Sequence, residues 1–139
     1  MRIYSLITGI LLFVADQGYS QNANVVVQQG NDLYKKEQFQ QAEANYNDAL
    51  TKDPSNAPAK FNRVNAVYRQ GKSEEAVRML NDLAFKTEDN ELKSRAYYNK
   101  GAVLSAQKKL EESIEAYKDA LRRNPTDNEA RENLQKALT

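Results

Sequence analysis

The sequence predicts an all-α protein, an array of three helix pairs closed by a C-terminal helix, and three observations carry that prediction. A short phrase recurs: Asn31-Asp32-Leu33-Tyr34-Lys35 returns 34 positions later as Asn65-Ala66-Val67-Tyr68-Arg69. A wider set, Gly30, Ala42, Tyr46, Ala49 and Pro54, returns as Gly101, Ser113, Tyr117, Ala120 and Pro125, a shift of 71 that joins a 34-residue and a 37-residue period. Within each copy the apolar residues fall at steps of three and four on either side of a short break, as one face of each of two helices requires. A fixed period of this length marks a supersecondary unit that buries its apolar face only by stacking on its neighbours.

The elements follow in order. Helices are predicted at 24–36, 39–52, 57–70, 73–85, 92–107, 110–123 and 128–138. In the first pair, Leu33 and Tyr34 face Phe39, Ala42, Tyr46, Ala49 and Leu50 across the turn. Gly30 and Ala42 are small because the two axes approach closely there, whereas Tyr46 fills the gap to the next pair. Pro54 ends the second helix, and Asn56 is a suitable N-cap for the third. The second pair departs from the pattern, with Val64 in the glycine slot, Leu83 in an alanine slot and Glu88 for proline, so its helices are expected to spread wider. Ser73 is the expected cap of its second helix. The three extra residues before the third pair lie within 85–91 (FKTEDNE) and predict a longer loop. Tyr97, Gly101, Leu104, Tyr117, Ala120 and Pro125 mark the third pair, with Ser113 in an alanine slot. The last helix sets Ala130, Leu134, Ala137 and Leu138 on one side and reads as a cap.

These slots resemble the tetratricopeptide repeat (TPR) family, over about residues 23–139. The resemblance implies a right-handed superhelical array: repeats at 23–56, 57–90 and 94–127, with a capping helix at 128–139. It also implies that the first helix of each pair lines a concave groove holding an extended or helical peptide. The groove slots carry Gln28, Asn62 and Asn99, then Asn31, Asn65 and Ala102, then Tyr34, Tyr68 and Ser105, then Lys35, Arg69 and Ala106. Val27, Phe61 and Tyr98 add apolar surface, and Arg95 begins the third groove helix. An amide side chain offers both a donor and an acceptor to a peptide unit, and Arg and Lys hold carboxylates. In TPR proteins that clamp a chain-terminal carboxylate, two Asn and three basic residues take defined slots. Asn31, Asn62 and Arg95 match three of them, while Val27 and Asn99 replace two of the basic ones, which argues against a full clamp. Asn31 and Asn65 also read as solvated residues or as links between neighbouring groove helices. Tyr46, Tyr97 and Tyr117 read as core.

Composition narrows the function. Lys and Arg total 20 against 19 Asp and Glu, a formal net charge of +1, so no global field draws nucleic acid or an anionic surface. The chain has neither His nor Cys, which removes the commonest general base, thiolate nucleophiles, Cys/His metal sites and disulfides. Glu74-Glu75 and Glu111-Glu112 fall in first helical turns and Arg122-Arg123 at a helix end, where the helix dipole accounts for them. No cofactor, metal or catalytic residue is expected, and the chain reads as a non-enzymatic binding scaffold. A carboxylate-dependent hydrolase and a self-assembling array are the competing readings.

The first twenty residues differ from the rest. Arg2, the apolar run Leu6–Ala15 and Gly18-Tyr19-Ser20 before Gln21 have the layout of an export signal. Ten apolar residues span only about half of a ~30 Å hydrocarbon core, so residues 1–20 read as a signal peptide rather than an anchor, with the mature chain in the periplasm. The wording of 97–101, 113–125 and 131–134 is similar to the small exported TPR proteins of the Bacteroides-type aerotolerance operon. That resemblance implies membrane-bound partners with von Willebrand factor A domains and a link to stress tolerance.

Overall fold

The structure, a computed structural model, describes residues 22–139. The export signal expected at 1–20 lies outside the described residues. Among the described residues seven helices follow one another: α1 (Ala23–Lys35), α2 (Phe39–Lys52), α3 (Ala57–Arg69), α4 (Ser73–Lys86), α5 (Asn90–Ala106), α6 (Leu110–Arg123) and α7 (Asn128–Leu138). Each packs chiefly on its sequence neighbours, with lighter contacts between α1 and α3, α3 and α5, and α5 and α7. Such contact between successive units is what makes the molecule a solenoid. Three helix pairs and a final helix follow in the predicted order.

Glycine governs the crossing in the first and third pairs. A Cβ added to Gly30 would lie 2.7 Å from Cε1 of Tyr46, and one added to Gly101 would lie 2.6 Å from Cε1 of Tyr117. Each tyrosine ring therefore lies against the bare backbone of its own pair, and Tyr46 also shares one core with Ala59 and Ala66 of the next pair. The second pair solves the same crossing with Val64 and Leu80, both buried. Its helices make the sparsest contact of the three pairs, in keeping with the expected spread. Ala42, Ala76 and Ser113 fill the small-residue slot without exposure, and the Ser113 hydroxyl donates to the Gly101 carbonyl at 2.8 Å. That bond answers the hydroxyl's burial cost.

The turns inside the pairs share one geometry that the sequence did not disclose. Glu37, Gly71 and Lys108 hold φ of 59°, 81° and 63°, the left-handed conformation that terminates a helix. The next residue's N–H reaches back to the carbonyls of Leu33, Val67 and Leu104 respectively. This closure fixes where the following helix starts and displaces the expected cap. Lys72, not Ser73, is the N-cap of α4: its carbonyl accepts from the Ala76 N–H, and no side chain caps that end. Between pairs the caps are side chains, with Asn56 accepting from the Ala59 N–H and Asp127 from the Ala130 N–H.

Two further expectations are corrected. The extra residues before the third pair form helix rather than loop: only 87–89 separate α4 from α5, and α5 has 17 residues where α1 and α3 have 13. Asp89 makes this possible by accepting from the N–H groups of Glu91 and Leu92, which starts the helix two residues early. On α7, Ala130 is buried and Leu134 and Ala137 are half-buried, but Leu138 is 63% exposed and does not join the packed side.

Candidate functional site

The groove helices α1, α3 and α5 leave two small clefts between them. One, about 240 Å³, is lined by Asn31, Tyr34, Lys35, Tyr46, Asn62 and Asn65. The other, about 200 Å³, is lined by Val64, Asn65, Tyr68, Leu80, Asn99, Ala102 and Val103. Asn65 borders both, so the clefts run on from one another across α3. Seven of the twelve predicted groove residues line these two clefts: Asn31, Tyr34, Lys35, Asn62, Asn65, Tyr68 and Asn99.

The amides are not equivalent. Asn31 Oδ1 accepts from the Tyr46 hydroxyl at 2.8 Å and from Asn62 Nδ2 at 3.0 Å. Its carbonyl is thereby saturated, leaving the Asn31 amide as a donor and the Asn62 carbonyl as an acceptor toward the cleft. Burial, followed by the neighbouring Tyr34, pushes the Tyr46 phenol up to about 12, so it stays a proton donor at any physiological pH. Asn65 is exposed and, like Asn99, makes no side-chain hydrogen bond among the described residues. Both alternatives for the amides thus occur: Asn31 and Asn62 tie α1 to α3, and Asn65 and Asn99 stand open.

The remaining five predicted residues take other roles. Phe61 is 2% exposed and belongs to the core around Val64, Val67 and Leu80, as Val27 does in the cluster before it, so neither adds groove surface. Arg95 lies 4.3 Å above the Phe61 ring, and Arg69 lies 4.5 Å above Phe39 and 5.8 Å from Tyr34, with Glu37 at 3.9 Å. Both guanidiniums are thus held by aromatic faces across a repeat boundary. Tyr98 is half-buried beneath α7, where its hydroxyl accepts from Asn133 Nδ2 at 3.0 Å. Burial, then the Glu129 carboxylate, raises that phenol above its ordinary range. The cap therefore closes the groove at its third helix. Gln28 is exposed on α1 and borders neither cleft.

Tyr46 is the groove residue that sequence reasoning missed. Its ring is core, as periodicity indicates, but its hydroxyl emerges in the cleft. The signal was the coincidence of a tyrosine, rather than phenylalanine, with an asparagine one position after the facing glycine. Copy three has Ala102 in that asparagine slot, and copy two has Leu80 in the tyrosine slot.

Tetratricopeptide repeat models match residues 27–91 and 94–127. The chain is 26% identical over 111 residues to Hsp70-Hsp90 organizing protein 1 of Glycine max, covering 80% of this chain but only 19% of that protein's length. Among solved structures, the first TPR domain of human RPAP3 is 30% identical, with 84% of this chain and 89% of that one covered at a TM-score of 0.68. A structure of the first TPR of Spaghetti (RPAP3) bound to the HSP90 peptide SRMEEVD is 29% identical, with coverage of 86% and 92% and a TM-score of 0.68. With both stretches of repeats matched, and a relative of that identity covered almost throughout, the chain belongs to the tetratricopeptide repeat family.

Proposed function

We propose that this protein is a non-enzymatic scaffold that binds an extended segment of a partner protein in the groove formed by α1, α3 and α5. The observation that carries the reading is the run of amides along two joined clefts: a donor at Asn31, an acceptor at Asn62, and open amides at Asn65 and Asn99. Alternating donors and acceptors match the peptide backbone rather than any one side chain. The similarity to a TPR domain bound to an HSP90 peptide supports peptide binding in general. The groove's chemistry favours the interior of a chain over its end. Two of the basic clamp slots hold Val27, which is buried, and Asn99, and Arg95 is stacked on Phe61. The partners proposed are membrane-bound proteins with von Willebrand factor A domains, met in the periplasm after export and within a stress-tolerance system. That part rests on residues 1–20 and on the resemblance of 97–134 to the exported aerotolerance proteins.

A photo-crosslinking residue placed at Asn65, compared with one at Arg78 on α4, tests the reading in the native envelope. Adducts with such a membrane protein are expected from position 65 only, and equal yields from both positions overturn the groove assignment. In the same assay Asn31→Ala with Asn65→Ala should reduce capture while leaving helical circular dichroism unchanged. The peptide SRMEEVD serves as the chain-end probe: weak binding that does not change on C-terminal amidation is expected. Tight, amidation-sensitive binding shows a carboxylate clamp instead.

A further inference from the structure

The two groove clefts differ in chemistry, and each takes its character from particular residues. The cleft between α1 and α3 is lined by one cation, Lys35, and by no carboxylate. Lys35 follows Asn31 by one helical turn, so the two lie on one face of α1. The bonds from Tyr46 and Asn62 occupy the Asn31 carbonyl and leave its amide hydrogens toward the cleft. Among the described residues Lys35 has no ion-pair partner, whereas Arg69 has Glu37 and two aromatic faces, and Arg95 has the Phe61 ring. A helix end favours a cation on any side, which does not account for one set beside a presented amide donor.

The cleft between α3 and α5 carries no charged residue. Its floor is Val64, Leu80 and Val103, all buried, and Ala102 is exposed beside them. Two replacements open it. Leu80 stands where copies one and three have Tyr46 and Tyr117, and Ala102 stands where copies one and two have Asn31 and Asn65. Both shorten the side chain that would face the space. At about 200 Å³ the hollow takes one side chain, since an aliphatic cavity of about 150 Å³ holds benzene. An apolar floor under the amides of Asn65 and Asn99 suits an aliphatic group whose own backbone meets those amides.

Resting on the groove assignment, we propose that the groove reads two side chains of the segment it binds: an acidic one held by Lys35 and Asn31 between α1 and α3, and an aliphatic one seated between α3 and α5. Asn31 has two amide hydrogens, so one serves the peptide backbone and the other the carboxylate, whose second oxygen meets the Lys35 ammonium. Backbone contacts supply affinity, and the two clefts supply sequence preference. Neither cleft needs a chain terminus. Packed helices stand about 8–10 Å apart and an extended chain advances about 3.3 Å per residue, so the two side chains lie about two to four positions apart in the partner.

A random library of peptides, acetylated and amidated so that no chain end is charged, is panned on the full chain. Enriched sequences are expected to pair Asp or Glu with Leu, Ile or Val about two to four positions away. Panning on Lys35→Glu should replace the acidic residue by Lys or Arg and keep the aliphatic one. Panning on Ala102→Leu, which fills the second cleft from an exposed position, should lose the aliphatic preference and keep the acidic one. For a peptide selected on the parent chain, each variant should weaken binding about fivefold or more, with the melting midpoint unchanged. Enriched sequences without an acidic residue, an acidic preference that survives Lys35→Glu, or an aliphatic one that survives Ala102→Leu overturns the proposal. So does a library that enriches nothing. In each of those events, photo-adducts from position 65 alone keep the groove assignment standing, and equal adduct yields from positions 65 and 78 remove both.

Discussion

Copies one and three of the repeat place glycine at the helix crossing and a charged residue in the left-handed turn, and copy two does the reverse. Gly30 and Gly101 face Tyr46 and Tyr117, while Glu37 and Lys108 hold positive φ. In copy two Val64 faces Leu80, and the turn residue is Gly71. The comparison shows that the slots of a repeat are filled in correlated sets rather than independently. A glycine at the crossing is useful only with a large ring opposite it. A valine there requires a smaller partner.

The largest predicted effect breaks that correlation in copy two. Val64→Gly removes a buried side chain and puts glycine inside a helix, for a loss of about 3–4 kcal/mol in urea unfolding. Adding Leu80→Tyr should recover more than half of it, and purely additive losses would show that the two slots are not coupled. Gly101→Leu, the converse change in copy three, should cost about 1–3 kcal/mol by overpacking against Tyr117, with an unchanged melting midpoint counting against the close crossing.

Smaller effects sharpen the comparison. Tyr46→Phe keeps the ring but removes the bond to Asn31, a loss of about 1 kcal/mol. Because the folded phenol titrates near 12 and the unfolded one near 10, its contribution is complete below pH 10 and is lost as pH rises through 12. Urea midpoints measured across that range should fall less in Tyr46→Phe than in the parent chain. Smallest of all, Glu37→Gly should gain about 0.5–1 kcal/mol by relieving a left-handed residue, whereas Gly71→Ala should lose about 1 kcal/mol at the matching turn, both read by thermal unfolding.

The array itself was legible in the sequence because stacking demands a repeat, and a repeat is visible as spacing. So were the Asn56 cap and the small-residue slots, each set by a local requirement. What periodicity does not carry is the partner of a side chain in the next repeat. Phe61 and Arg95 occupy recognised groove slots, yet they stack on one another, and Arg69 turns to Phe39 and Tyr34 for the same reason. The early start of α5 was hidden because 85–91 is polar and resembles a loop, and only the reach of Asp89 to two N–H groups decides otherwise.

The two junctions between repeats differ in a way that bears on how the molecule comes apart. Asn24 with Asn56, Asn31 with Asn62, Asn47 with Arg63 and Glu43 with Gln70 join the first pair to the second. Among the described residues no side-chain hydrogen bond joins the second pair to the third. That second junction is held instead by the apolar core that runs from Phe61, Val64 and Leu80 into Ala96 and Val103, with Arg95 over the Phe61 ring. Cooling, which weakens apolar contact, should therefore loosen the second junction before the first.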